Sequence, residues 1–224
     1  MLLTSGCASM FDNMSLTAQT KFQQMLANKF AQKLISGIDL VVGQLADKGG
    51  FLDDPLVRIL LPPPLGLVID VARDLNDNPQ AALLETLMNR AAENAIPVAG
   101  PILKNMVANM DADTLQRLVH SPRSAATELL MAEGGAAIKQ ALLPAVSQSL
   151  QADGAISLYG DLLKTQHNTA LPPDADANTA APHVAKDQLA EYVVHQAVGG
   201  LFTKVASQEL AIRDSLSSIG AGSF

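Results

Sequence analysis

The residues in this chain with most to offer chemically are charged side chains set among apolar neighbours. Arg58 lies inside Leu56-Val57-Arg58-Ile59-Leu60-Leu61. Its guanidinium never deprotonates, so an apolar run around it needs an answering anion or a route to water. Arg90 and Glu93, together with Asn89, fall in the Ala-rich stretch Asn89-Arg90-Ala91-Ala92-Glu93. Glu209 and Arg213 stand four residues apart, the spacing at which a carboxylate and a guanidinium meet on a helix. Three readings of these six residues stay open. They can form one partly buried network joining distant segments, with Glu93 and Glu209 as the acids beside Arg58. They can each reach water and contribute little. Or Arg58 can serve an anionic ligand. The first reading carries the largest energy, because removing one partner of a buried pair costs about 3–5 kcal/mol.

Other chemistry is thinly represented. The four histidines are His120, His167, His183 and His195. Asp187, Glu191 and His195 repeat every four residues and approach one helical face, but a metal site needs further ligands brought by the fold, so no metal is expected. There is no nucleophile elbow, no phosphate-cradling glycine loop and no paired-histidine zinc motif. No cofactor is expected, and catalysis is disfavoured; the alternative is a hydrolase-like enzyme using the Arg/Glu cluster. The single cysteine excludes an internal disulfide. It sits in Leu2-Leu3-Thr4-Ser5-Gly6-Cys7-Ala8, which resembles the lipobox of bacterial lipoproteins, where the cysteine is lipidated and becomes the first mature residue. Thr4 replaces the usual Leu, and neither a basic leader nor a full apolar stretch precedes Cys7. Both departures fit a sequence that starts late. Cys7 is thus the expected lipidation site, with Ala8 behind it matching outer-membrane sorting. The alternative is a cytoplasmic protein with an ordinary thiol.

The elements that must position these residues read as helices. The chain has 34 Ala and 33 Leu, no Trp and 4% aromatic residues, which favours helix over sheet. A net charge of −7 argues against nucleic acid as a partner. The expected fold is all-α: a single compact multi-helix domain of roughly eight helices, crossed by one extended Pro-rich segment over 51–64. Residues 1–14 form a lipoprotein-type tether and 15–224 the domain, with 167–183 an internal surface linker. Helices are expected at about 15–46, 64–75, 78–94, 98–109 and 113–120. Two more are expected either side of Gly134-Gly135, then one at 153–166 and a long one at 183–217. Asn78-Pro79 is a strong start, an N-cap residue followed by Pro at the first helical position. Gly37 and Gly43 could break the first helix, and Pro144 could bend or divide another. No run is long enough to span a bilayer, which takes about 20 apolar residues.

Four segments in order resemble the bacterial domain-of-unknown-function 4197 family. They are Gly50-Phe51-Leu52 with Val57-Arg58-Ile59 and Leu61-Pro62; Asn89 to Glu93 ending at Pro97; the helix about Asp113 to Leu130; and Glu191-Tyr192-Val193 with Gly200-Leu201-Phe202, Glu209 and Ile212-Arg213. The resemblance spans about 35–215. It implies an exported, often lipid-anchored, all-helical protein, and brings no activity, cofactor or catalytic residue with it. The expectation is a lipid-anchored helical binding or structural domain on the periplasmic side of the cell envelope. Its partners would be the membrane, through the anchor, and an apolar small molecule or a protein helix held between its own helices. Eight Met residues offer an adaptable groove lining.

Overall fold

In the computed structural model, residues 16–63, 65, 78–169 and 184–221 are described. Cys7, the tether, His183 and almost all of the linker lie outside them, as does the helix expected at 64–75 apart from Leu65, which is helical and buried.

The first helix, α1 (Leu16–Ala46), buries Ala27, Phe30, Leu34, Ile38, Val41 and Leu45, a stripe at spacings of three and four. It runs through Gly37 and Gly43 without a break. Gly37 is there for packing: a Cβ would lie 2.7 Å from Cγ of Gln208 on the last helix. The chain then turns at Gly49, whose φ of 85° suits glycine, and Gly50, where a Cβ would strike the carbonyl oxygen of Gln44. Residues 51–53 and 55–57 are turns, with the Val57 and Arg58 N–H groups bonded back to the Asp54 carbonyl, so the first half of the segment expected to be extended over 51–64 is not. Residues 58–62 are neither helix nor strand, and Val57, Ile59, Leu61 and Pro62 are buried.

Helix α2 (Pro79–Ala95) starts as the sequence indicates: Asn78 Oδ1 accepts from the Ala81 N–H at 3.1 Å, with Pro79 at the first position. A 3-10 turn (Ile96–Val98) leads into α3 (Ala99–Ala108). Helix α4 (Ala112–His120) is capped by Asp111, which accepts from the Thr114 N–H at 2.8 Å. Helix α5 runs unbroken from Ala125 to Ala152. This corrects the expectation of two helices there and leaves fewer than the eight anticipated among the described residues. Gly134 and Gly135 end nothing. They are buried, and a Cβ on Gly134 would sit 2.5 Å from Sδ of Met106, so glycine lets α3 close on α5. Pro144 also sits inside this helix. Helix α6 (Ala155–Thr169) follows Gly154, at φ 74°, and runs into what was expected to be linker. A 3-10 turn (Lys186–Gln188) then opens α7 (Leu189–Ala221), later than the start expected at 183.

All described helices are α or 3-10, and no strand occurs among the described residues. Helix α7 is the central post. It packs along both α1 and α5, and α2 packs on α5. Leu189, Val193, Ala197, Leu201 and Val205 of α7 are buried, an i, i+4 column that meets the apolar faces of its neighbours in one core.

Candidate functional site

Five of the six residues singled out from the sequence, all but Arg90, fall into two clusters that share no residue. The first joins α2 to the crossing segment. Glu85, Asn89 and Glu93 stand at i, i+4 and i+8, so they form one row along α2. All three are buried. Each holds the segment at a different place. Glu93 Oε1 accepts from the N–H groups of Phe51 at 3.2 Å and Leu52 at 3.4 Å. Asn89 brackets Ile59: its Oδ1 accepts from the Ile59 N–H at 2.9 Å and its Nδ2 donates to the Ile59 carbonyl at 2.8 Å. Glu85 accepts from Nε of Arg58. A buried segment that is neither helix nor strand has its backbone groups to satisfy, and this row satisfies several of them.

Lys204 and Tyr192 of α7 complete the clamp. Lys204 Nζ donates to Asp54 at 2.6 Å, and Asp54 also accepts from the Leu56 N–H at 3.0 Å. The Lys204 hydrogen bond, then the Leu56 one, hold the Asp54 carboxyl below the ordinary carboxylate range. Tyr192 donates to the Leu60 carbonyl at 3.1 Å. Its hydroxyl pKa is raised by burial, helped by the charge of Glu85. Tyr159 donates to the Val184 carbonyl at 2.7 Å, while the Val184 N–H donates to the Pro63 carbonyl at 3.1 Å. Burial pushes the Tyr159 hydroxyl up to about 12.

The second cluster is the Glu209–Arg213 pair of α7, set against the corner between α4 and α5. Glu209 is fully buried. Its carboxylate accepts from the N–H groups of Ala126 at 3.2 Å and Thr127 at 2.8 Å, and from the Thr127 hydroxyl at 2.6 Å. Those are first-turn groups of α5, which have no partner within their own helix. Arg213 donates twice to Glu209, at 2.9 and 2.6 Å. Its remaining N–H groups go to the carbonyls of Leu118, Val119 and Ser121, at 2.9, 3.2 and 3.3 Å, at the end of α4. All five guanidinium N–H groups are thereby used. The guanidinium also lies 4.9 Å from the centre of the Phe30 ring, a cation–π distance. One ion pair therefore closes the start of one helix and the end of another.

Spacing indicated the Glu209–Arg213 pair. It did not indicate the backbone groups the pair serves. Arg58 pairs with Glu85, not with Glu93 or Glu209, and among the described residues no single network joins all the segments. Arg90 is exposed and outside both clusters. Glu85 was missed, though the four-residue rhythm Glu85-Asn89-Glu93 was there to find. Its other oxygen, Oε2, is buried and without a partner among the described residues.

Two open grooves border these clusters. One, of about 790 Å³, runs between α3, α4 and α5 and includes Met106, Met110, Asn109, Thr114 and Arg117. Two Met residues line it, whereas Met88 is in the core and Met25 and Met131 are exposed, so a methionine-lined groove is only partly realised. The other, of about 640 Å³, lies between α5 and the start of α7 and is lined mostly by carbon, with Leu143, Val184, Tyr192 and Val194. Asp187, Glu191 and His195 do not converge with other ligands: no group of three or more acidic, His or Cys side chains fit to hold a metal occurs among the described residues. Among those residues, too, no helix is long and apolar enough to cross a membrane.

No curated protein and no solved structure matches the chain. One family description, "Protein of unknown function (DUF4197)", matches residues 21–221, nearly the whole of the described fold and both polar clusters. The chain belongs to the DUF4197 family.

Proposed function

We propose that the protein is a binding domain of the cell envelope, held to the membrane by a lipid on Cys7, whose folded part carries an apolar ligand on its surface. The observation that carries this reading is the groove between α5 and α7, about 640 Å³ and lined mostly by carbon. That volume is in the range of a small-molecule site. The polar clusters support the same reading by subtraction. Asn89, Glu209 and Arg213 are engaged with backbone groups and have little left to offer a substrate. The sequence around Cys7 supplies the anchor and the periplasmic address.

The test has two parts. The full-length gene product expressed in a bacterial host should incorporate labelled palmitate, and Cys7→Ser should abolish the label and release the protein from membranes. Native mass spectrometry of protein extracted from envelopes should show a bound small molecule that denaturation removes. An unlabelled protein would end the anchoring half, and a ligand-free mass would end the binding half.

One observation favours a second reading, an enzyme of the hydrolase type. Among the described residues Glu85 Oε2 lacks a partner and the side chain of its neighbour Arg58 is engaged only through Nε, so acid, base or anion-binding capacity is left over at that point. Glu85→Gln would then abolish turnover of an ester substrate panel while leaving the fold intact. A panel on which wild type and variant are equally inactive removes this reading.

A further inference from the structure

The α5–α7 groove has an unequal distribution of groups, and this bears on what it holds. Its walls are Leu143 of α5, Val194 and Tyr192 of α7, and Val184 just before the 3-10 turn. Lys139 and His195 also line it, with Lys139 Nζ 3.1 Å from His195 Nδ1. An ammonium has only donors, so Nδ1 must accept, and the imidazole proton then sits on Nε2. The two side chains thus present the remaining ammonium N–H groups and an imidazole N–H, all donors. Lys139 has no ion-pair partner among the described residues. Glu191, one helical turn before His195, is the acidic side chain on the same groove.

From this charge arrangement we infer that the groove binds a single-chain aliphatic carboxylate. The acid group sits on Lys139 Nζ and His195 Nε2, and the hydrocarbon lies along Leu143, Val184, Val194 and the Tyr192 ring. The inference rests on the groove reading above and adds the head group to it. A neutral chain of equal length gains the hydrocarbon contacts alone, while the carboxylate gains charge-assisted hydrogen bonds as well.

The experiment uses the full chain and two probes, dodecanoate and 1-dodecanol, with binding read from the methyl resonances of Leu143, Val184 and Val194. Dodecanoate should shift those signals and bind more tightly than dodecanol. Lys139→Met, which keeps the apolar stem, should weaken dodecanoate about tenfold or more, the equivalent of about 1.4 kcal/mol, and leave dodecanol unchanged. If Lys139→Met leaves dodecanoate as tight as before, or the two probes bind equally, the head-group inference is wrong and the apolar groove stands. If neither probe moves the three residues, the groove is no ligand site and both readings fall. Shifts that follow protein concentration without probe would show a second copy of the chain in the groove, which also overturns the inference.

Discussion

The Glu209–Arg213 pair and the Arg58–Glu85 pair contain the same two residue types, yet they do different work. In the first, side-chain exposure is 0% for the acid and 12% for the base, and every donor and acceptor is used. In the second, the acid is 1% exposed and the base 39%, the contact is a single N–H, and one carboxylate oxygen has no partner among the described residues. The difference lies in what surrounds each pair. Glu209 and Arg213 face two helix ends, which supply orphan N–H and carbonyl groups in quantity. Glu85 faces one crossing segment whose backbone is already held by Asn89 and Glu93. A buried ion pair by itself is weak evidence of stability, because desolvation offsets the attraction. Fixing backbone groups that have nowhere else to turn is what makes one pair valuable and the other replaceable.

The largest effect should come from cutting the first pair. Arg213→Ala leaves a fully buried carboxylate and three helix-end carbonyls short of donors, and should lower unfolding free energy by about 3–5 kcal/mol in denaturant melts. Arg58→Ala should cost less, about 1–3 kcal/mol, because water reaches its half-exposed neighbourhood. Equal losses would erase the distinction between the regions.

Asn89 comes next. Asn89→Leu keeps the volume but leaves the Ile59 N–H and carbonyl buried and unpaired, and should cost about 2 kcal/mol. Hydrogen exchange at Ile59 should accelerate while exchange at Ala126 and Thr127 stays slow. Acceleration at both places would mean the clusters are coupled after all.

A smaller effect concerns the far end of the crossing segment. Tyr159 secures Val184, which in turn holds Pro63. Its folded pKa of about 12 lies above the ordinary 10.0, so the neutral phenol is favoured by folding. The stability it contributes is whole below pH 10 and is lost as pH rises toward 12. Thermal melts should fall across that window, and Tyr159→Phe should flatten the fall. A variant that falls as steeply as wild type would assign the alkaline loss elsewhere.

Much of the architecture was legible because helix signals are local. Asn78-Pro79 started a helix where expected, and the prolines after Leu61 marked a segment that is neither helix nor strand at 58–62. Gly134-Gly135 misled because a glycine pair reads the same whether it ends a helix or lets another helix approach; only Met106, distant in sequence, separates the two. The site was less legible for a related reason. Glu209 and Arg213 announced each other by spacing, but their backbone partners at 118–127 carry no side-chain signature. Arg58 announced a need for an acid. Choosing Glu85 over Glu93 takes the register of the segment along α2, which the bracket at Asn89 sets and no local pattern encodes.

The claim that the two pairs differ in kind is tested most directly by replacing each whole pair with apolar residues of similar size. Arg58→Met with Glu85→Leu removes a pair that serves little beyond itself, and the double variant should lie within about 1 kcal/mol of wild type. Glu209→Leu with Arg213→Met leaves the α4 and α5 ends uncapped, and should remain about 3 kcal/mol or more below wild type despite the gain in apolar packing. Urea melts of the two double variants, run beside wild type, give both numbers. Recovery of wild-type stability by the Glu209/Arg213 replacement, or an equal loss from both, would contradict the account.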